Sequence, residues 1–246
     1  PEKLRIKCGI SGARMALLPY AIEVLDALVE SFTPIDIALS SYGIREGLLY
    51  EQMSKELRKK DPLIEACAFA EMKDARAPGF GLQLFKFVLP LFPTADDEAA
   101  RLIKAACHLH DVSWRGHPDY RAEICFDNAT RANLGGLKHA ERVFLGLSLM
   151  HRYRNQREGH KFETLFSLLS QEQMRMAEIL GKAMRLGAMM WVNKEETNAK
   201  LFWAPDAKAL QLVLEGDAVS LYGEVAEARL KSLACAMNAS FAFQAK

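Results

Sequence analysis

The sequence predicts a mainly α-helical chain that opens with the end of an α/β subdomain and closes in a small α/β tail. Three observations predict it. The first fifty residues read in order as strand, helix, strand, turn and helix. A long middle stretch places apolar residues at helical spacing between polar caps. The last fifty residues return to short apolar runs around one further helix. The expected divisions are 1–55, 56–195 and 196–246.

Residues 4–10 alternate weakly and are expected as a strand. Met15 to Phe32 is expected as a helix, because Leu18, Ile22, Leu25 and Val29 fall on one helical face. Ile35–Leu39 is β-rich and stops abruptly in Ser40, Ser41 and Gly43. Such strands need sheet neighbours, and with an opening at Pro1 the chain is expected to be the C-terminal piece of a longer protein. Glu51 to Lys60 is polar and marks a boundary. Asp61-Pro62 then opens a helix, with a capping carboxylate before a proline in the first turn.

Helices are expected over 62–76, 80–90, 96–110, 118–132, 138–152 and 170–190. Thr94 is the expected cap of the third, with Asp96, Asp97 and Glu98 suiting its positive end. Ser170, Glu172 and Gln173 open the last, whose stripe of Met174, Ala177, Leu180, Met184 and Gly187 reads as core. In the tail, Leu201–Trp203 and Leu210–Leu214 read as strands around the turn Pro205-Asp206. A helix over Asp217 to Leu233 and a strand over Ala236–Gln244 complete a β-β-α-β unit.

The composition is that of a globular domain, with 50% hydrophobic and 26% charged residues. The longest apolar candidate, Leu82 to Phe92, is broken by Gln83, Lys86 and Pro90, so no membrane span or signal peptide is expected and a cytoplasmic setting is. The cysteines at 8, 67, 107, 125 and 235 include no C-x-x-C pair, which speaks against disulfides and a structural zinc. A net charge of +1 gives no reason to expect nucleic acid. The charge is unevenly spread: residues 101–160 hold ten Lys/Arg against six Asp/Glu, and all six histidines lie between 108 and 160. That patch reads either as a steering surface for a polyanion or as a solvated helix face.

Three constellations carry chemistry. In Leu39 to Leu49, small residues at a strand end leave backbone N–H groups open beside Arg45 and Ser41. This is the design of a phosphate site, and also that of an ordinary strand-turn junction. Next, His110 continues the apolar stripe of Ala99, Leu102, Ile103 and Ala106, so it faces a core or cleft with Asp111 beside it. Adjacent His-Asp pairs centre the HD metal phosphohydrolases. Here residues 1–107 contain no histidine, and His108 stands about 200° from His110 around the helix. The pair therefore reads as a degenerate metal site in an HD-like helical domain, even with Asp119 or Asp127 as a downstream aspartate. Third, Gly116 permits a tight turn and Pro118 suits a first helical turn, so Arg115, His117 and Arg121 are expected near one helix start, as an anion site or as a cap with surface arginines. Arg152, in His151-Arg152-Tyr153-Arg154, ends a helix, where a cation needs no further function. No G-x-x-x-x-G-K-[ST], G-x-G-x-x-G or H-E-x-x-H is present.

Ser40 to Leu49 resembles the S-x-G-(L/I)-R-E-G-(L/V)-L segment of the exopolyphosphatase / guanosine pentaphosphate phosphohydrolase family. Gly9-Ile10-Ser11-Gly12-Ala13-Arg14 with Leu17-Leu18-Pro19 is similar to the segment just upstream. Ala105 to Val112, followed by Trp114 to Tyr120, resembles the opening of the family's C-terminal helical domain. The resemblance covers roughly residues 5–155 well and the rest loosely.

The resemblance implies that residues 1–55 end an actin-like α/β subdomain and that the HD-like helical domain follows. It implies a protein that releases terminal phosphate from inorganic polyphosphate or guanosine pentaphosphate by magnesium-assisted attack of water. The family's glycine loops and catalytic glutamate belong to the N-terminal actin-like half, to which nothing in this sequence matches, so no catalytic residue is assigned here and the chain alone is expected to be inactive. Arg14, Ser41 and Arg45 would contact phosphate, and Arg115, His117, Arg121 and Arg152 would line a track for the polyanion. A homodimer is expected. Two alternatives stand beside this: a non-catalytic regulatory or dimerisation module, and, more weakly, an HD-type metal phosphohydrolase.

Overall fold

A computed structural model describes residues 2–37, 39–40, 42–155, 161–191 and 198–246. It divides into two compact units, Pro1–Arg58 and Lys59–Lys246.

The first unit is helical throughout its ordered elements: α1 (Glu2–Cys8), α2 (Gly12–Phe32), α3 (Ile44–Gln52) and α4 (Lys55–Arg58). Ser11 caps α2 by accepting the Arg14 N–H at 3.3 Å, and Thr33 ends it in the left-handed conformation, φ 42°. The strand expected at 4–10 is instead α1, and Ile35, Ile37 and Leu39 lie outside any strand. The reason is physical: a strand leaves its backbone groups waiting for a neighbour, whereas a helix satisfies its own. Locally, the Arg5 guanidinium forks onto Glu2 one turn back. None of the described residues in this unit is buried.

The second unit holds the core. Asp61 caps α5 (Pro62–Asp74) through the Leu63 and Ile64 N–H groups at 2.8 and 3.3 Å, and also grips Arg101. α6 (Phe80–Val88) runs into a 3-10 turn at Leu89–Leu91. α7 (Asp97–Leu109) is capped by Asp96, which accepts the Ala99 N–H at 2.8 Å, rather than by Thr94. α8 (Arg121–Arg131), α9 (His139–His151), a short unforeseen α10 (Glu163–Phe166) and α11 (Gln171–Gly187) follow. Ser170 and Gln173, expected to open this helix, close a reciprocal cap at the start of α11. Leu63, Leu84, Ile103, Phe126, Leu145, Met150, Leu180 and Met184 fill the interior. Gly181 lets α11 lie against α9: a Cβ there would come within 2.5 Å of the Ser148 carbonyl and of the His151 Cβ.

The tail forms the expected β-β-α-β order. β1 (Ala199–Ala204) pairs antiparallel with β2 (Ala209–Leu214), with Ala199 opposite Leu214. A 3-10 turn over Gly216–Leu221 displaces the start of the helix, so α12 spans Glu224–Met237. β3 (Ser240–Ala245) lies parallel to β2, with Ala209 opposite Ser240. α12 packs on α11, and β1 touches α6 and the 3-10 turn after it. Among the described residues no helix is long and apolar enough to cross a membrane.

Candidate functional site

The site is built where α7 ends. Successive tight turns carry the chain from Leu109 to Gly116, closed by Val112 N–H to Leu109 O at 3.2 Å, Trp114 to Asp111 at 3.1 Å and Gly116 to Ser113 at 3.0 Å. Gly116 sits close under Ile124, where a Cβ would come within 2.7 Å of the end of the isoleucine side chain. These turns send Asp111 inward, where it is 4% exposed, and leave Arg115 at the surface.

Asp111 is held by arginines. The Arg76 guanidinium, from the loop after α5, forks onto it: Nη2 donates to Oδ1 at 2.6 Å and Nε to Oδ2 at 2.9 Å. The Arg76 backbone N–H adds a third bond at 3.2 Å. Arg152, just past α9, brings Nη2 to 3.7 Å from Oδ1. Burial works to raise the Asp111 pKa, but the Arg76 bonds and the Arg152 charge hold it below the usual aspartate value.

Aromatic rings space the cations. Tyr153 has the Arg152 guanidinium 4.7 Å and that of Arg121 5.5 Å from its ring centre, and its hydroxyl donates to the His110 carbonyl at 3.2 Å. Trp114 carries Arg115 at 4.7 Å and Arg76 at 5.6 Å, and its indole N–H donates to the Asp74 carbonyl at 2.9 Å. Cation–aromatic contacts of this kind let like charges stand close without direct pairing. Arg121 is further fixed by two bonds to the Gly116 carbonyl, at 3.1 and 3.0 Å, and Arg185 of α11 donates to the Tyr153 carbonyl at 3.4 Å. Burial, then the charges of Arg229 and Arg152, push the Arg185 pKa down.

The balance is positive. Arg76, Arg115, Arg121 and Arg152 stand against two carboxylates, Asp111 and Asp74, the latter 3.7 Å from Arg115. Arg152 is itself 7% exposed, and its Nε finds no hydrogen-bond partner among the described residues. A buried guanidinium with a free donor, in a cluster with surplus positive charge, is chemically suited to an oxyanion.

His110 is engaged within the protein interior. Its Nδ1 lies 2.8 Å from the Cys107 carbonyl, its ring packs edge-on against Phe80, and burial followed by the Arg152 charge brings its pKa down to about 4. With both Asp111 oxygens engaged by arginine, the His110-Asp111 pair does not fit a divalent cation such as magnesium. Among the described residues no group of three His, Cys, Asp or Glu side chains is placed to hold a metal ion.

Of the residues singled out from sequence, Arg115, Arg121 and Arg152 come together in this cluster. His117 stays on the exposed turn before α8, where Nδ1 accepts the Asp119 N–H at 3.3 Å and the ring leans on Tyr120; it does not cap α8. Arg14 lies in the first turn of α2 and Arg45 in the first turn of α3, both exposed in the other unit. Ser41 lies outside the described residues. Arg76 and Arg185 are not singled out by the sequence, and Tyr153 enters only as part of the His151-Arg152-Tyr153-Arg154 segment. The usable signal for Arg76 was an arginine set in the Ala-Arg-Ala-Pro-Gly loop after a helix.

Residues 63–243 match the family model described as "Exopolyphosphatase, C-terminal". The chain belongs to the exopolyphosphatase C-terminal family. Every residue of the arginine cluster falls inside the span matched by this exopolyphosphatase model. The chain is also 29% identical over 153 residues to Retrograde regulation protein 2 of Saccharomyces cerevisiae, covering 58% of this chain and 25% of that protein. It is 22% identical over 192 residues to the guanosine-5'-triphosphate,3'-diphosphate pyrophosphatase of Aeromonas salmonicida, covering 73% of this chain and 37% of that protein. The chain thus spans between a quarter and two fifths of the curated relatives it matches.

Proposed function

We propose that this chain is the polyanion-holding part of a phosphohydrolase that releases terminal phosphate from inorganic polyphosphate or guanosine pentaphosphate. The observation that carries the reading is the arginine cluster around Asp111, in which only Arg76 of the four cations is closely paired with a carboxylate. Arg115 and Arg121 meet the incoming phosphates, and Arg152 and Arg76 hold the deeper one. His117 extends the track along the exposed turn. Arg14, Ser41 and Arg45 of the first unit supply further phosphate contacts, as the Ser40 to Leu49 segment suggests. Several charge-assisted contacts in series favour long chains over short ones.

In this reading the first unit ends an actin-like subdomain, and the helical unit is HD-like in descent with its metal site replaced by ion pairs. Water attacks the terminal phosphorus, the bond to the bridging oxygen breaks, and the shortened chain leaves. The base and the magnesium ion belong to an actin-like half, since the residues around Asp111 fit neither role. The protein works in the cytoplasm as a homodimer. The yeast relative, named for retrograde regulation, favours a second reading, a non-catalytic regulatory or dimerisation module.

The deciding experiment is a calorimetric titration with long-chain polyphosphate at low and moderate salt. The expected result is binding that weakens steeply with salt, and a loss of about tenfold or more in an Arg115→Ala/Arg121→Ala variant. A folded chain that ignores polyphosphate supports the regulatory reading. Binding that is indifferent to the double substitution overturns the assignment of the track.

A further inference from the structure

We infer that Asp111 is an internal stand-in for a phosphoryl oxyanion, a tethered anion that keeps Arg76 and Arg152 in binding geometry and competes with the ligand for them. The inference rests on the polyanion reading and adds a regulation to the same site.

The geometry carries it. Arg76 meets the Asp111 carboxylate in the parallel fork that guanidinium uses equally for carboxylate and phosphate. The Arg76 side chain is itself 55% exposed, so an external anion reaches the same guanidinium from solvent. Arg152 is buried, stops 3.7 Å short of Asp111 Oδ1, and keeps an unused Nε donor. One carboxylate therefore serves two guanidiniums and satisfies only one of them. If the ion pair were purely structural, the burial of the second arginine would be offset only by a 3.7 Å approach to Asp111 and by the Tyr153 ring, with a donor left unused. A phosphoryl group, with three acceptor oxygens against two, satisfies both. It gains most when the carboxylate beside it carries no charge, because like charges at this range repel strongly in a half-buried site.

The consequence has an unusual sign. Asp111→Asn keeps the shape and one acceptor oxygen but removes the competing charge. The variant is expected to bind long-chain polyphosphate and inorganic tripolyphosphate about tenfold more tightly than the parent at low salt. Asp127→Asn changes the net charge identically, yet Asp127 pairs with Arg131 and Lys161 outside the cluster, so it is expected to change affinity less than twofold. A parent that binds while Asp111→Asn binds equally or more weakly overturns the inference and leaves the polyanion reading intact. Equal tightening by Asp127→Asn overturns it too, as a generic charge effect. No binding by parent or variant removes both.

A measurement on the unmodified chain guards against a variant that fails to fold. With 15N-labelled arginine, tripolyphosphate is expected to shift the Arg76 Nε–H resonance, whose donor leaves the Asp111 carboxylate, and to slow solvent exchange at the Arg152 Nε–H. Binding that leaves both resonances in place overturns the inference.

Discussion

At the scale of single residues, the helical unit is most exposed to acid. His110 is buried, and its pKa is brought from 6.5 to about 4 by burial and then by the Arg152 charge. The unfolded chain therefore takes up the proton first as pH falls. The stability that His110 contributes is whole above about pH 6.5 and is lost on the way down to pH 4, a difference of roughly 3 kcal/mol. Asp111, also held below its ordinary value, adds a loss of the same sign at still lower pH. Thermal melts between pH 7 and 4 are expected to show a falling melting temperature, and His110→Asn is expected to flatten the upper part of that slope. An unchanged slope would mean that some other group titrates there. His110 was legible from sequence as a residue facing inward, because it continues the α7 stripe. Its neighbour's true partners were not, since Arg76 stands 35 positions away and nothing in a periodic pattern links a loop arginine to a helix end.

At the scale of elements, close packing rather than propensity decides where helices lie. Gly146 of α9 faces the Phe126 ring of α8, and a Cβ there would come within 2.9 Å of it. Phe126 cannot yield easily, being fully buried and stacked on Phe162 at 4.2 Å. Gly146→Ala gains about 0.5–1 kcal/mol in helix propensity but incurs about 1–3 kcal/mol of overpacking. The expected outcome is a net loss of about 1–2 kcal/mol, read as a lower urea midpoint at unchanged slope. The helices of the second unit were legible because caps such as Asp61 and Ser170 and stripes such as Met174 to Gly187 agree with one another. The strands expected near the start are not formed over the described residues 4–10, 35–37 and 39, because this stretch carries strand character without a neighbour among them to pair with. Likewise α12 begins after its expected start, since the chain first spends Gly216–Leu221 in a tighter turn that alternation cannot reveal.

At the scale of the whole molecule, the buried interior and the arginine cluster both belong to one unit. Pro1–Arg58 has no buried residue among those described, whereas Lys59–Lys246 holds a continuous apolar interior. A peptide of residues 1–58 is expected to melt without cooperativity, and residues 59–246 to unfold in a single transition, as followed by circular dichroism. The overall charge of +1 hides a local surplus around Asp111 supplied by arginines from five separate places in the chain. Those arginines depend on how two helices meet. At Gly181 the backbone of α11 rests on the backbone of α9, and Arg152 and Arg185 follow that contact within a turn on either side. The glycine, which lies against the Arg152 backbone, thus sets the gauge between the two cations without touching either guanidinium. A single methyl group placed there would force the two backbones apart and widen that gauge, and the arginine cluster would lose its spacing with every one of its charges still in place.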